Sequence, residues 1–106
     1  MKERLEKRDR GDFEVPRVDV WESEAELLLL ADLPGVPADA VDVRFDDGEL
    51  TIEGRRAKGR AYRRVFALSD GFDLDKVAAR HEGGVLELRL PKAAHKRTRK
   101  IEVRAG

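Results

Sequence analysis

Apolar residues recur at every second position in one stretch after another of this chain, and turn-forming residues stand between the stretches. That pattern dictates extended strands rather than helices. Val41, Val43 and Phe45 alternate with Asp42, Arg44 and Asp46. Successive side chains of a strand point to opposite faces, so this segment reads as a strand with one face buried. Asp47-Gly48 supplies a tight-turn signal before Leu50 and Ile52, which alternate in the same way until Gly54. Tyr62, Arg64, Phe66 and Leu68 then share one face, with Arg63, Val65 and Ala67 on the other. Leu86, Leu88 and Leu90 oppose Glu87 and Arg89, and Pro91 ends that run.

The remaining elements are read from punctuation as much as from period. Val18 and Val20 precede Glu24-Ala25, which suits a hairpin into Glu26 to Ala31. Leu27 to Leu30 is compatible with a helix, but the run is short and Pro34-Gly35 closes it, so a strand buried on both faces is expected. Gly71 to Asp75 reads as a loop, Val77 to His81 as a short strand, and Gly83-Gly84 as a hairpin turn. No stretch sustains a helical face. About seven short strands separated by turns predict an all-β fold, an immunoglobulin-like antiparallel β-sandwich. With 106 residues there is length for one such domain.

The side-chain inventory argues against catalysis. There is no Cys, Asn or Gln, and only two Ser, two Thr and two His. Thiol chemistry, Cys-ligated metals and most polar machinery for orienting a substrate are therefore missing. No Gly-x-x-x-x-Gly-Lys loop is present to cradle a phosphate, and no nucleophile stands with a base. His81 and His95 read as surface histidines, and Asp46, Asp47 and Glu49 as carboxylates beside a turn. Neither an enzyme nor a cofactor or metal is expected. The apolar runs are too short for a membrane span or a signal peptide, so a soluble, cytoplasmic protein without a membrane partner is expected.

A net charge of zero conceals segregated blocks. From Asp19 to Glu53 there are eleven acidic residues and one base, Arg44; from Arg55 to Arg64 there are six basic residues and no acid. Lys92 to Arg104 carries six more bases against Glu102. Such blocks attract one another within a fold or across two copies, and a second copy is the expected source of negative charge facing Arg55 to Arg64. Only Tyr62 interleaves an aromatic with that stretch, which gives no support for a nucleic-acid partner. Arg64 sits on an otherwise apolar face. Either its stem packs while its head reaches solvent, or it pairs with a carboxylate at an interface.

Asp32-Leu33-Pro34-Gly35-Val36, Leu50-Thr51-Ile52-Glu53-Gly54, Ala79 followed after four residues by Gly84-Val85-Leu86, and the closing Leu90-Pro91-Lys92 together resemble the α-crystallin domain of small heat-shock proteins, the Hsp20 family. The resemblance runs from about Pro16 to Lys92. It implies a charged arm over residues 1–15, the α-crystallin domain over 16–92, and a C-terminal extension over 93–106. In that extension Ile101-Glu102-Val103 resembles the Ile-x-Ile/Val anchor that family members dock into a neighbour.

What the resemblance implies is an ATP-independent holdase. It would bind partly unfolded clients, assemble with itself as a dimer or larger homo-oligomer, and hand clients to ATP-driven chaperones. The groove for the anchor would be lined by Val41, Val43, Val77 and Ala79, with Ile101 and Val103 as the docking side chains. Plain core positions are the other reading of those groove residues. Only Arg55 to Ala61 bridge Gly54 and Tyr62, too few for the loop that bacterial and plant members swap between subunits. A dimer would then form by antiparallel pairing of the Tyr62 to Leu68 strand, with Tyr62, Arg64 and Phe66 at the interface. The arm is short and weakly apolar, which implies modest holdase potency. The other functional class compatible with this chain is a scaffold module that binds one defined partner.

Overall fold

The computed structural model describes residues 13–93 and Val103. Eight strands follow in order: β1 Phe13–Glu14, β2 Val18–Glu22, β3 Glu26–Asp32, β4 Val41–Asp46, β5 Glu49–Gly54, β6 Ala61–Ala67, β7 Ala78–Glu82 and β8 Val85–Pro91. Two single-turn 3₁₀ helices, Ala38–Ala40 and Leu74–Lys76, lead into β4 and β7. The strands form two four-stranded sheets, β1-β6-β5-β4 and β2-β3-β8-β7. Their inner faces enclose one core, as a sandwich requires.

Alternation in the sequence becomes burial in the fold. Leu50 and Ile52 from the first sheet meet Leu27, Leu29, Leu86, Leu88 and Leu90 from the second, with Leu33, Val36 and Tyr62 closing the same cluster. Register explains the shared face: Leu29 stands beside Leu88, and Leu27 beside Leu90. The turns behave as their residues demand. Gly83 and Gly84 have φ of 59° and 79°, and Asp47 and Gly48 have 50° and 77°. These two-residue loops need positive φ at both central positions, which matches the twist of the hairpins they close. Ser23 shapes the β2–β3 turn, its Oγ accepting from the N–H groups of Ala25 and Glu26 at 3.2 Å.

Two expectations need correction. β3 is not buried on both faces: Leu27, Leu29 and Ala31 are buried, whereas Leu28 and Leu30 are half-buried on the outer face. There Leu28 stands next to Trp21, which is 53% exposed. Val77 lies outside β7, ending the 3₁₀ turn before it, and packs against the core. The pairings are antiparallel with one exception, the short parallel contact of Phe13–Glu14 with Ala61–Tyr62. Those two residues of the arm are thus part of a sheet, while residues 1–12 lie outside the described chain.

Candidate functional site

β4 ends the first sheet and β7 ends the second, so along one side of the sandwich two strands leave their outer edges unpaired. Between them opens a cleft of about 340 Å³. Its walls are Val41 and Val43 from β4, Ala79, Arg80 and His81 from β7, with Ala38 at one end and Leu86 in the floor. Pro37 ahead of the 3₁₀ turn presets the backbone there and delivers Ala38 and Val41 to the rim. Period two does the rest, because Val41 and Val43 point inward as Asp42 and Arg44 point out.

Charges line the outside of this cleft rather than its floor. Arg44 pairs with Asp42 at 2.9 Å and with Glu53 at 3.2 Å, and Arg80 pairs with Glu82 at 2.9 Å. His81 supports the wall from within: its Nε2 lies 2.7 Å from the carbonyl oxygen of Val36. A carbonyl only accepts, so Nε2 donates to it, while Nδ1 is buried with no hydrogen-bond partner among the described residues. His81 thereby ties β7 to the corner that follows β3.

Of the residues expected to form a groove, Val41, Val43 and Ala79 meet in this cleft and Val77 does not. Ala38, Arg80 and His81 join them and escape a reading of the sequence by period and family pattern. For His81 a signal exists, since it follows Ala79 by two and shares its face. Val103 stands 90% exposed, and Ile101 lies outside the described residues.

The expected interface residues fare differently. Tyr62 is 4% exposed, on the inner face, and so is a core residue. Its hydroxyl accepts from Arg56 Nη1 at 2.9 Å. Phe66 is half-buried and helps line a smaller cleft on the opposite side of the sandwich, with Val20, Leu29 and Phe72. Arg64 donates from Nη1 to the carbonyl oxygen of Pro16 at 3.2 Å, and its guanidinium lies 4.9 Å from the Phe66 ring centre. None of the ion pairs among the described residues involves Arg64. Beyond the two-residue contact with β1, the outer edge of β6 from Arg63 to Ala67 pairs with no other described strand.

No helix among the described residues is long and apolar enough to cross a membrane, and no cluster of His, Asp or Glu there is arranged to hold a metal.

Comparisons with known proteins agree on one family. The model of the Hsp20/alpha crystallin family matches residues 19–104. The probable 15 kDa heat shock protein of Leptospira interrogans is 35% identical over 112 residues, covering 93% of this chain and 85% of that one. The crystal structure of the hspA protein from Xanthomonas axonopodis has a TM-score of 0.67 at 36% identity, covering 74% of this chain and 94% of that one. A small heat-shock protein from Xylella fastidiosa has a TM-score of 0.69 at 33% identity, covering 87% and 98%.

Proposed function

As the chain belongs to the Hsp20/alpha crystallin family, we propose that the cleft between β4 and β7 is the docking site through which it assembles. It is an ATP-independent molecular chaperone and not an enzyme, built on the family's β-sandwich; such proteins form homo-oligomers and bind client proteins. One observation carries the proposal: an apolar cleft opens between two sheet edges that have backbone groups to spare. An extended peptide satisfies such an edge with main-chain hydrogen bonds while alternate side chains enter the cleft.

In this reading Val41, Val43 and Ala79 receive Ile101 and Val103 of another copy. Burying two such side chains is worth roughly 3–6 kcal/mol before ordering costs, enough to move an oligomer equilibrium. The arm spans 1–15, the domain 16–92 and the extension 93–106. The free edge of β6, with Arg64 and Phe66 beside it, is the second self-association surface and the source of a dimer. Clients pass to ATP-driven chaperones in the cytoplasm, and neither nucleic acid nor membrane is a partner.

The test is light scattering from a heat-aggregating client, without nucleotide. Suppression is expected at near-stoichiometric ratio and modest potency. A folded chain that fails to suppress aggregation even in excess would overturn it.

A further inference from the structure

A strand that pairs antiparallel with its own copy does so about a two-fold axis perpendicular to the sheet. Residues at equal distances from the axis stand opposite one another with side chains on the same face, so one residue lies on the axis and meets itself. In β6, Ala61–Ala67, the midpoint is Arg64. An axis there would pair all seven residues, setting Ala61 across from Ala67 and Tyr62 across from Phe66 of the second copy. That part of the edge is taken. Phe13 of β1 already stands beside Ala61, and Glu14 beside Tyr62.

Charge points the same way. An axis at Arg64 opposes two guanidiniums, and like charges directly across a ladder destabilise it. An axis at Val65 instead places Arg64 across from Phe66 and Arg63 across from Ala67. An axis at Phe66 places Arg64 across from Leu68. A second copy fits the shifted ladder because its two cations then fall opposite uncharged positions. A guanidinium beside this aromatic ring is already realised within one subunit, where Arg64 lies 4.9 Å from the Phe66 ring centre.

We propose that β1 is an end stop on the edge of β6, and that it moves the two-fold axis of the dimer off Arg64 to Val65 or Phe66. This rests on the reading of β6 as a self-association surface given above. The stop is held from three sides. Arg56 grips the Glu14 carboxylate at 2.6 Å, Arg60 donates to the Phe13 carbonyl oxygen, and Arg64 Nη1 donates to the Pro16 carbonyl oxygen at 3.2 Å. The tract left unpaired, Arg63 to Ala67, has its own centre at Val65, which is 44% exposed.

Single cysteines test this, because the chain has none and an introduced thiol can bond only to its counterpart in another copy. The residue on the axis faces itself at a Cα separation of about 4.5–5.5 Å, within disulfide reach. A residue one place off the axis stands diagonally at about 7–8 Å, beyond it. Arg64→Cys, Val65→Cys and Phe66→Cys, each in the full chain, are oxidised mildly and run on non-reducing gels, with circular dichroism to check the fold. Val65→Cys or Phe66→Cys should become a disulfide dimer, and Arg64→Cys should remain a single chain. Arg64→Cys itself removes the repelling charges, so its failure to bond reports the stop, which Arg56 and Arg60 still hold. Adding Glu14→Pro, which has no backbone N–H and no carboxylate for Arg56, should free the edge and let Arg64→Cys bond. A bond in Arg64→Cys with Glu14 intact would overturn the stop. So would a Glu14→Pro/Arg64→Cys chain that stays single while Val65→Cys or Phe66→Cys bonds. If none of the four variants bonds, β6 is no self-association surface, and the reading beneath the proposal fails with it.

Discussion

Glu14 and Arg56 are 42 positions apart and meet at 2.6 Å, joining a two-residue strand to the loop that precedes β6. The same guanidinium donates to the Arg60 carbonyl oxygen at 2.8 Å and lies 4.4 Å from the Tyr62 ring centre. Arg60 in turn donates to the carbonyl oxygen of Phe13, and Arg63 lies over the Phe13 ring at 5.3 Å. The basic stretch thus finds partners in the arm of its own chain. Glu14, not a second copy, supplies the negative charge that Arg56 faces.

Arg56 is the keystone of that arrangement, so its removal should be felt well beyond one ion pair. The pair with Glu14 is half-exposed and by itself contributes little. The bond to the buried Tyr62 hydroxyl and the stacking on its ring add to it. Arg56→Ala is expected to lower stability by about 1–2 kcal/mol, while Glu14→Gln should cost about 0.5 kcal/mol or less. Urea unfolding of both variants measures the difference.

Gly54, at the end of β5, is needed for want of space. A Cβ there would stand 3.2 Å from both Cγ atoms of Val36 and 3.4 Å from Leu33 Cδ1. Gly54→Ala should therefore destabilise by roughly 1–3 kcal/mol through overpacking. At Gly83 a Cβ meets nothing within 4 Å, so Gly83→Ala carries only the cost of its positive φ, about 1–2 kcal/mol. Restoring space with Gly54→Ala/Val36→Ala should remove the clash but open a cavity. The double variant is expected to recover little, and thermal unfolding of all three proteins ranks them.

Much of this fold is legible in the sequence. Val41 to Phe45, Leu50 to Ile52 and Leu86 to Leu90 announce both their extended conformation and their buried face, because polar residues occupy the alternate positions. Leu27 to Leu30 does not. Four consecutive leucines carry no alternation, and the outer pair is half-covered beside Trp21. Val77 fails for another reason: Leu74–Lys76 takes up a 3₁₀ turn, and the strand begins one residue later than the apolar pattern does. β1 is out of reach. Two residues show no period, and the side chains that fix them come from Arg56, Arg60 and Arg63.

His81 ties the cleft wall to the corner after β3, so it should govern the shape of the groove. Replacing it with Leu keeps the volume but leaves the Val36 carbonyl without its donor. His81→Leu is expected to lose about 1–3 kcal/mol of stability. Amide exchange should quicken at Ala79 and neighbouring β7 positions, with β2 and β3 unchanged, as read by hydrogen-exchange mass spectrometry.

Arg64 offers a guanidinium to Pro16 and a flat face to Phe66, which an ammonium cannot reproduce. Arg64→Lys keeps the charge but gives up both contacts, which are made within one subunit, and should lower the stability of the fold by roughly 1 kcal/mol, read by urea unfolding. A dimer built on β6 with Arg64 at its interface should in addition loosen in a dilution series followed by light scattering. Equal dimer stability in the two proteins would detach Arg64 from that interface.

The pairing of β3 with β8 carries a consequence for how the molecule is made. Glu26–Asp32 leaves the ribosome early, whereas its partner Val85–Pro91 is among the last of the described residues to be synthesised. During that interval the β2–β3 hairpin presents Leu27 and Leu29 on an uncovered face, and β3 has an unpaired edge. Non-local pairing of this kind is slow and invites association with other exposed chains. A nascent copy of this chaperone thus passes through a stage in which it exposes the kind of surface that its finished copies bind.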